Sequence, residues 1–189
     1  FLVMGQEPRA IVASGHKLVS ETAGEILKYG GNAFDAIAGA GFVSAVVEPA
    51  LTSLGGGGFM LGYEAESKKT TFYDFFVDTP GRGLRRSNPK ELDFFPITVI
   101  FSGSQQDFNI GLGSVAVPGT LKGLLHVHRK LGRMPLIDVI SHGVTYAGEH
   151  EVNSQQAHFL ELLKPIMTRS KLGRTVHAPN GSYLRDGDI

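Results

Sequence analysis

The stretch GGNAFDAIAGAGFVSAVVEPALTSLGGGGFM, residues 30–60, decides how this sequence is read. Gly30-Gly31 offers the left-handed stop on which helices commonly end, and Asn32 is a helix N-cap. Asp35 follows three residues on, where a carboxylate can meet the free N–H groups of a first turn. From Ala33 to Val47 it is the sole charge. A helix that is apolar all round is a buried one, so 33–47 is expected in a layer covered on both sides and ended by Glu48-Pro49. The tetrad Gly55–Gly58 comes next, and after it the periodicity is that of a strand.

Working outward, Leu18, Ala23, Ile26 and Leu27 share one face of a helix that ends at the glycine pair, and Arg9–Ser14 reads as a short strand before it. Downstream, Phe59–Glu64 and Thr70–Phe75 flank the turn Ala65–Lys68 and read as an antiparallel hairpin. Arg82–Gln106, polar and interrupted by Pro, reads as irregular surface chain, and Ser114–Val117 as a further strand. Helical spacing returns after Pro118-Gly119. Leu121, Leu124, Leu125 and His128 form one face. Pro135 then opens a helix carrying Leu136, Val139, Ile140, Val144 and Ala147, and Asn153 one carrying Ala157, Leu160 and Leu163.

The tetrad does not read as a nucleotide site. A P-loop needs Lys-Ser/Thr after its glycines and a helix behind them, whereas Phe59-Met60-Leu61 follows here in strand rhythm. A dinucleotide fingerprint needs strand before glycines and helix after, the reverse of this order. The glycines instead predict a close approach of a buried helix to a central strand, beside an active site. The seven histidines show no HExxH. His126 and His128, two apart, face different ways on a helix, and His142, His150 and His158 have no acidic or cysteine neighbour at ligand spacing. No metal site and no cofactor are expected. GxSxG is missing, and with no cysteine, thiolate chemistry and disulfides drop out as well.

Composition sets the outer bounds. The 189 residues are 42% hydrophobic and 19% charged, enough for one domain with a real core. Eighteen basic residues balance eighteen acidic ones, and Arg82, Arg85 and Arg86 are far short of a basic stripe, so no nucleic-acid partner is expected. The longest apolar stretch, Ala36–Val47, is shorter than the about 20 residues a membrane span needs. The sequence stops at Arg185–Ile189 without a closing element and starts without a signal pattern, which reads as a fragment or a processed chain.

Several blocks, taken in order, resemble the γ-glutamyltransferase (γ-glutamyltranspeptidase) family. They are AIVASGH at 10–16, EILKYGGNAFDA at 25–36, VEP at 47–49 and LGGGGFM at 54–60, then SVAVPG at 114–119, Gly123 and GRMP at 132–135. The resemblance implies an α+β fold, the four-layer αββα sandwich of N-terminal-nucleophile (Ntn) hydrolases. Residues 1–189 would supply only its N-terminal portion, an incomplete part of one domain. It also implies a precursor that cuts itself into two subunits. The new N-terminal Thr of the small subunit is the nucleophile, its own α-amine can act as base, and paired glycine N–H groups form the oxyanion hole. All of these lie in the later part, so no catalytic residue is expected in this chain. The implied partners are the small subunit and a γ-glutamyl or related acyl substrate, and the implied compartment is periplasmic or extracellular.

One departure bears on the substrate. Where the family has an Asp-Phe-Arg-Glu-x-x-Pro type motif, this chain reads Asp74-Phe75-Phe76-Val77-Asp78-Thr79-Pro80. The family's Arg clamps the donor α-carboxylate, a task suited to a bidentate guanidinium, and Phe76 stands in its place. Either Arg82 or another basic group reaches in, or the donor is not an ordinary γ-glutamyl compound. A relative that has lost catalysis and serves as a binding protein is the third reading.

Overall fold

The computed structural model describes residues 10–83 and 92–189. Its centre is the apolar helix. α1 (Lys17–Lys28) and α2 (Ala33–Val47) are joined by the glycine pair in the way the sequence predicts. Gly30 takes φ 96°, its N–H donates to the Leu27 carbonyl (3.3 Å), and the Gly31 N–H donates to Ile26 (2.9 Å). This is a Schellman stop, which satisfies the last carbonyls of α1 before the chain turns. α2 then starts on a capping box. The Asn32 side chain accepts from the Phe34 and Asp35 N–H groups, and Asp35 accepts from the Asn32 N–H.

Three helices cover α2: α1, α3 (Thr120–Leu131) and α4 (Leu136–Gly148). Small residues let them close in. A Cβ on Gly39 would collide with Ile26 of α1 and stand 3.0 Å from the Val139 carbonyl of α4, and one on Gly41 would lie 2.8 Å from Leu124 of α3. The core is accordingly Val19, Ala23, Ile26, Ala36, Ala38, Ala40, Val43, Val47 and Val139. Three helices therefore pack on α2, but cover on both sides is not complete: Ala33 is exposed, and Ile37 keeps 46% of its surface. α4 starts at Pro135 as expected, but Val144 and Ala147 are exposed. α5 (Ser154–Leu162) starts on a second capping box, Asn153 with Gln156, and short helices α6 (Lys164–Met167) and α7 (Lys171–His177) follow. None of the described helices is long and apolar enough to cross a membrane.

The strands form two separate hairpins. β1 (Phe59–Glu64) pairs antiparallel with β2 (Lys69–Asp74), Phe59 opposite Asp74 and Glu64 opposite Lys69, around the predicted turn. β3 (Phe95–Phe101) pairs with β4 (Ser104–Ile110) around Ser102-Gly103. This second hairpin corrects the expectation of irregular chain over 82–106, of which 84–91 lies outside the described residues. Pro96 sits near the strand start, where a missing N–H is tolerated, and β4 is polar because its side chains face water. Two expected strands do not form. Among the described residues, 10–14 find no ladder partner, and Ile11 is 89% exposed; position 9 is outside the described residues. At Leu112–Ser114 the chain makes a 3-10 turn, and of 114–117 only Val117 bridges, to Asp78. Strand propensity needs a partner to be realised.

Candidate functional site

The tetrad is where three distant segments are stitched together. Gly58 and Phe75 exchange N–H···O bonds of 3.3 and 3.1 Å, which carries the β1–β2 ladder past Asp74. The Gly56 carbonyl accepts from both the Gly119 N–H (2.9 Å) and the Thr120 N–H (3.0 Å) at the start of α3. Asp78 and Val117 exchange bonds of 3.3 and 2.8 Å. The close approach expected of the glycines therefore exists, but its object differs. A Cβ on Gly57 would stand 2.5 Å from the Val77 nitrogen and 2.9 Å from Phe76 Cα, so the tetrad abuts the chain leaving β2 rather than a buried helix.

Phe75 and Phe76 leave this seam on opposite sides, as successive residues of an extended chain must. The half-buried Phe75 ring fills the notch at Gly123 of α3. Phe76 faces outward, 56% exposed, its N–H donating to Asp74 Oδ1 at 3.0 Å. Its ring lies parallel to that of Phe59, 5.1 Å away with 5° between planes, and Phe59 in turn stacks on Phe72 at 5.5 Å. Arg82 is not against Phe76 in a stack. Its Nη1 donates to Asp78 Oδ2 at 3.0 Å, both side chains being largely in water. The sequence reading singled out Phe76 and Arg82 but missed Phe59 and Phe72. The alternation Phe59, Leu61, Tyr63 along β1 was the available signal, since it marks one apolar face.

The seam gives a direct test of the packing. A Cβ on Gly119 would collide with the Phe75 carbonyl oxygen and stand 3.2 Å from that of Phe76. We expect Gly119→Ala to cost about 1–3 kcal/mol in a urea or thermal melt, as overpacking does. Gly55→Ala, whose nearest neighbour is Ser53 Oγ at 3.6 Å, should change stability by less than about 0.5 kcal/mol. Equal effects would mean that the tetrad is not held this closely.

Elsewhere, a cavity of about 380 Å³ lies between the C-terminal ends of α2 and α4, α5 and the tail through Ile189, and shares no lining residue with the seam. Burial pushes the His177 imidazole on its wall below the usual 6.5. The buried His128 ring contacts the Met134 carbonyl at 3.0 Å and Asp35 at 3.4 Å, while His142 meets Glu25 at 2.7 Å, a partner 117 residues away. Among the described residues, no three His, Cys, Asp or Glu side chains are grouped to hold a metal.

Residues 19–189 match the family model for gamma-glutamyltranspeptidase, and that match takes in the capped helix, the tetrad and the seam. The chain belongs to the gamma-glutamyltranspeptidase family. Among its curated relatives is the glutathione hydrolase proenzyme of Bacillus subtilis, 33% identical over 94% of this chain and 29% of that protein. The capsule biosynthesis protein CapD proenzyme of Bacillus anthracis is 28% identical over 98% of the chain and 30% of the relative. The chain thus spans under a third of the length of these proteins. Among solved structures, Helicobacter pylori gamma-glutamyltranspeptidase superposes with a TM-score of 0.78 at 24% identity, covering 96% of this chain and half of that one. Bacillus anthracis CapD gives 0.74 at 26%, covering 96% and 54%. The fold is the expected α+β architecture, the N-terminal portion of the Ntn-hydrolase sandwich found in gamma-glutamyltranspeptidases.

Proposed function

We propose that residues 1–189 are the N-terminal part of one domain of an Ntn-type amidohydrolase or acyltransferase. A small subunit cut from the same precursor would complete it. The observation that carries this reading is the family match over 19–189, together with a seam that joins the tetrad, the end of β2 and the start of α3. In the assembled protein the Oγ of an N-terminal Thr attacks the amide carbonyl while its own α-amine takes the proton. Backbone N–H donors hold the oxyanion. The leaving amine departs protonated, and the acyl–Thr ester is released to water or to a second amine. The first substrate class to test is γ-glutamyl amides of the glutathione kind.

A second reading is favoured by the motif departure, namely a related acylase with a changed acyl pocket. Phe76 offers no charge to a carboxylate, and Arg82 would have to give up Asp78 to supply one. A family member without catalysis, acting as a binding protein, is what remains if no acyl transfer occurs.

On this reading purified residues 1–189 should hydrolyse no anilide above a buffer blank, since the nucleophile and oxyanion donors lie elsewhere and their loss costs several orders of magnitude in rate. The full-length precursor should split into two chains on a gel and gain activity as it does. Activity from residues 1–189 alone would overturn the proposal. A precursor that stays intact and inert would leave the binding-protein reading.

A further inference from the structure

Three of the seven histidines, His16, His150 and His177, line one cavity, the space of about 380 Å³ between the C-terminal ends of α2 and α4, α5 and the tail. Much of its wall is apolar, with Leu51, Phe159, Leu160 and Val176 beside them. The ring of His150 is held at both nitrogens. A carbonyl only accepts, so Nδ1 carries the proton and donates to the Tyr146 carbonyl at 3.1 Å. Nε2 lies 3.3 Å from Gln156 Nε2. Gln156 Oε1 already accepts from the Asn153 N–H at 2.9 Å, which orients the amide with its NH2 toward the ring. His150 Nε2 is therefore an acceptor. His16 is the same case with the nitrogens exchanged. It is buried, and its Nδ1 accepts from the Leu18 N–H at 3.1 Å as the N-cap of α1, so the ring proton sits on Nε2.

A second proton has one place to go on each of these two rings, and an N–H donor occupies it. On His150 it would face the Gln156 amide. Turning that amide to relieve the contact would take Oε1 from the Asn153 N–H, half of the capping box that starts α5. On His16 it would break the cap of α1. His177 adds to this, because burial pushes its imidazole below the usual 6.5. The charged groups around the cavity do little to offset such protons. Glu48 and Glu149 line it, but the described histidines that pair with carboxylates are His128, with Asp35, and His142, with Glu25. Glu48 Oε2 accepts from the Ser44 hydroxyl at 2.6 Å. Lys17, next to His16, pairs with Glu21, and Arg174 of α7 donates to the Thr168 and Arg169 carbonyls. In the tail, Asp188 Oδ2 accepts from the Arg185 N–H.

We infer that His16, His150 and His177 make the closure of α5, α7 and the tail over this cavity an acid-sensitive latch, shut at neutral pH and released as the rings take up protons. The latch is independent of what the assembled protein catalyses. Its sign follows from His177. The released ring takes its proton near 6.5 and the closed one only below that, so closure has its full stability above 6.5 and loses it as pH falls further. Each ring that must stay neutral to close raises the open population about 10-fold one pH unit below that point.

Hydrogen exchange of the full-length protein, at about pH 7.5 and about pH 5.5 with times scaled for the intrinsic rate, tests this. Wild type should lose about 10-fold or more of its protection over 150–163 at the lower pH, while α2 changes less than about 2-fold. His16→Asn puts a preferred capping oxygen where Nδ1 was, and His150→Gln puts an acceptor where Nε2 was, neither able to gain a proton. With His177→Gln added, the acid loss should fall below about 2-fold. If that triple variant does not fold, His150→Gln alone is compared, and its loss should be smaller than that of wild type by the about 10-fold of one ring. Unchanged protection in wild type would overturn the latch. So would an equal loss in α2, which would mean global unfolding, or the same acid loss in the variants.

Discussion

Replacing Asp35 with Ala should cost about 3–5 kcal/mol and bring the protein close to unfolding at growth temperature. Asp35 is a charged side chain with none of its surface exposed. It accepts from the Asn32 N–H at 2.9 Å, from the Arg133 N–H with both oxygens at 3.0 Å, and from the Met134 N–H at 3.4 Å, with His128 Nε2 also 3.4 Å away. One carboxylate thus caps α2 and ties down the loop between α3 and α4. Its removal strands several partly buried donors at once, and an orphan left out of reach of water costs on the order of 1–3 kcal/mol. The carboxylate also faces the positive end of the α2 dipole, a smaller stabilising effect of the same sign. Asp35→Asn keeps the shape and one acceptor, so it should fall between wild type and Ala. The control is Glu25→Ala, which breaks a half-exposed contact to His142 and should cost under about 1 kcal/mol. Urea melts of the full-length protein read all three. A loss below about 1 kcal/mol for Asp35→Ala would show that the network is not what holds α2 to the loop.

Phe76→Arg is the second large effect expected, this time on substrate choice. A charge-assisted bidentate contact contributes about 2–4 kcal/mol, so restoring the family's residue should raise kcat/KM for a γ-glutamyl donor by roughly 30- to 1000-fold relative to a neutral acyl donor. The fold should tolerate it. Phe76 is more than half exposed, so the new guanidinium keeps water, and the loss of stacking on Phe59 removes about 1 kcal/mol. Arg82→Ala separates the alternatives. If Phe76 leaves the pocket without a clamp, that substitution should change γ-glutamyl turnover less than about 2-fold, whereas a rise in KM for this donor alone would make Arg82 the compensating clamp. A wild-type enzyme that already prefers the γ-glutamyl donor strongly would contradict the missing clamp outright.

The sequence by itself determined the elements whose signals are local. Helix 33–47 was legible because an apolar run, an Asn cap and a Gly-Gly stop all fall within about 18 residues and agree. Hairpin β1–β2 was legible because strand alternation resumes on both sides of a four-residue turn, and the order of the blocks was enough to place the family and its fold. Tertiary structure decided what depends on partners far along the chain. The same kind of apolar run gave no strand at 10–14, where no described residue lies alongside as a ladder partner, while the polar β4 became a strand because β3 lies beside it. Asp35 read as a helix-terminal carboxylate, and only packing brought it to Arg133, 98 residues away. Phe76 was visible as a departure from a motif. That Phe59 and Phe72 lie in one stack with it appears only once the strands are in register, because ring stacking depends on distances in space that spacing along the chain does not encode.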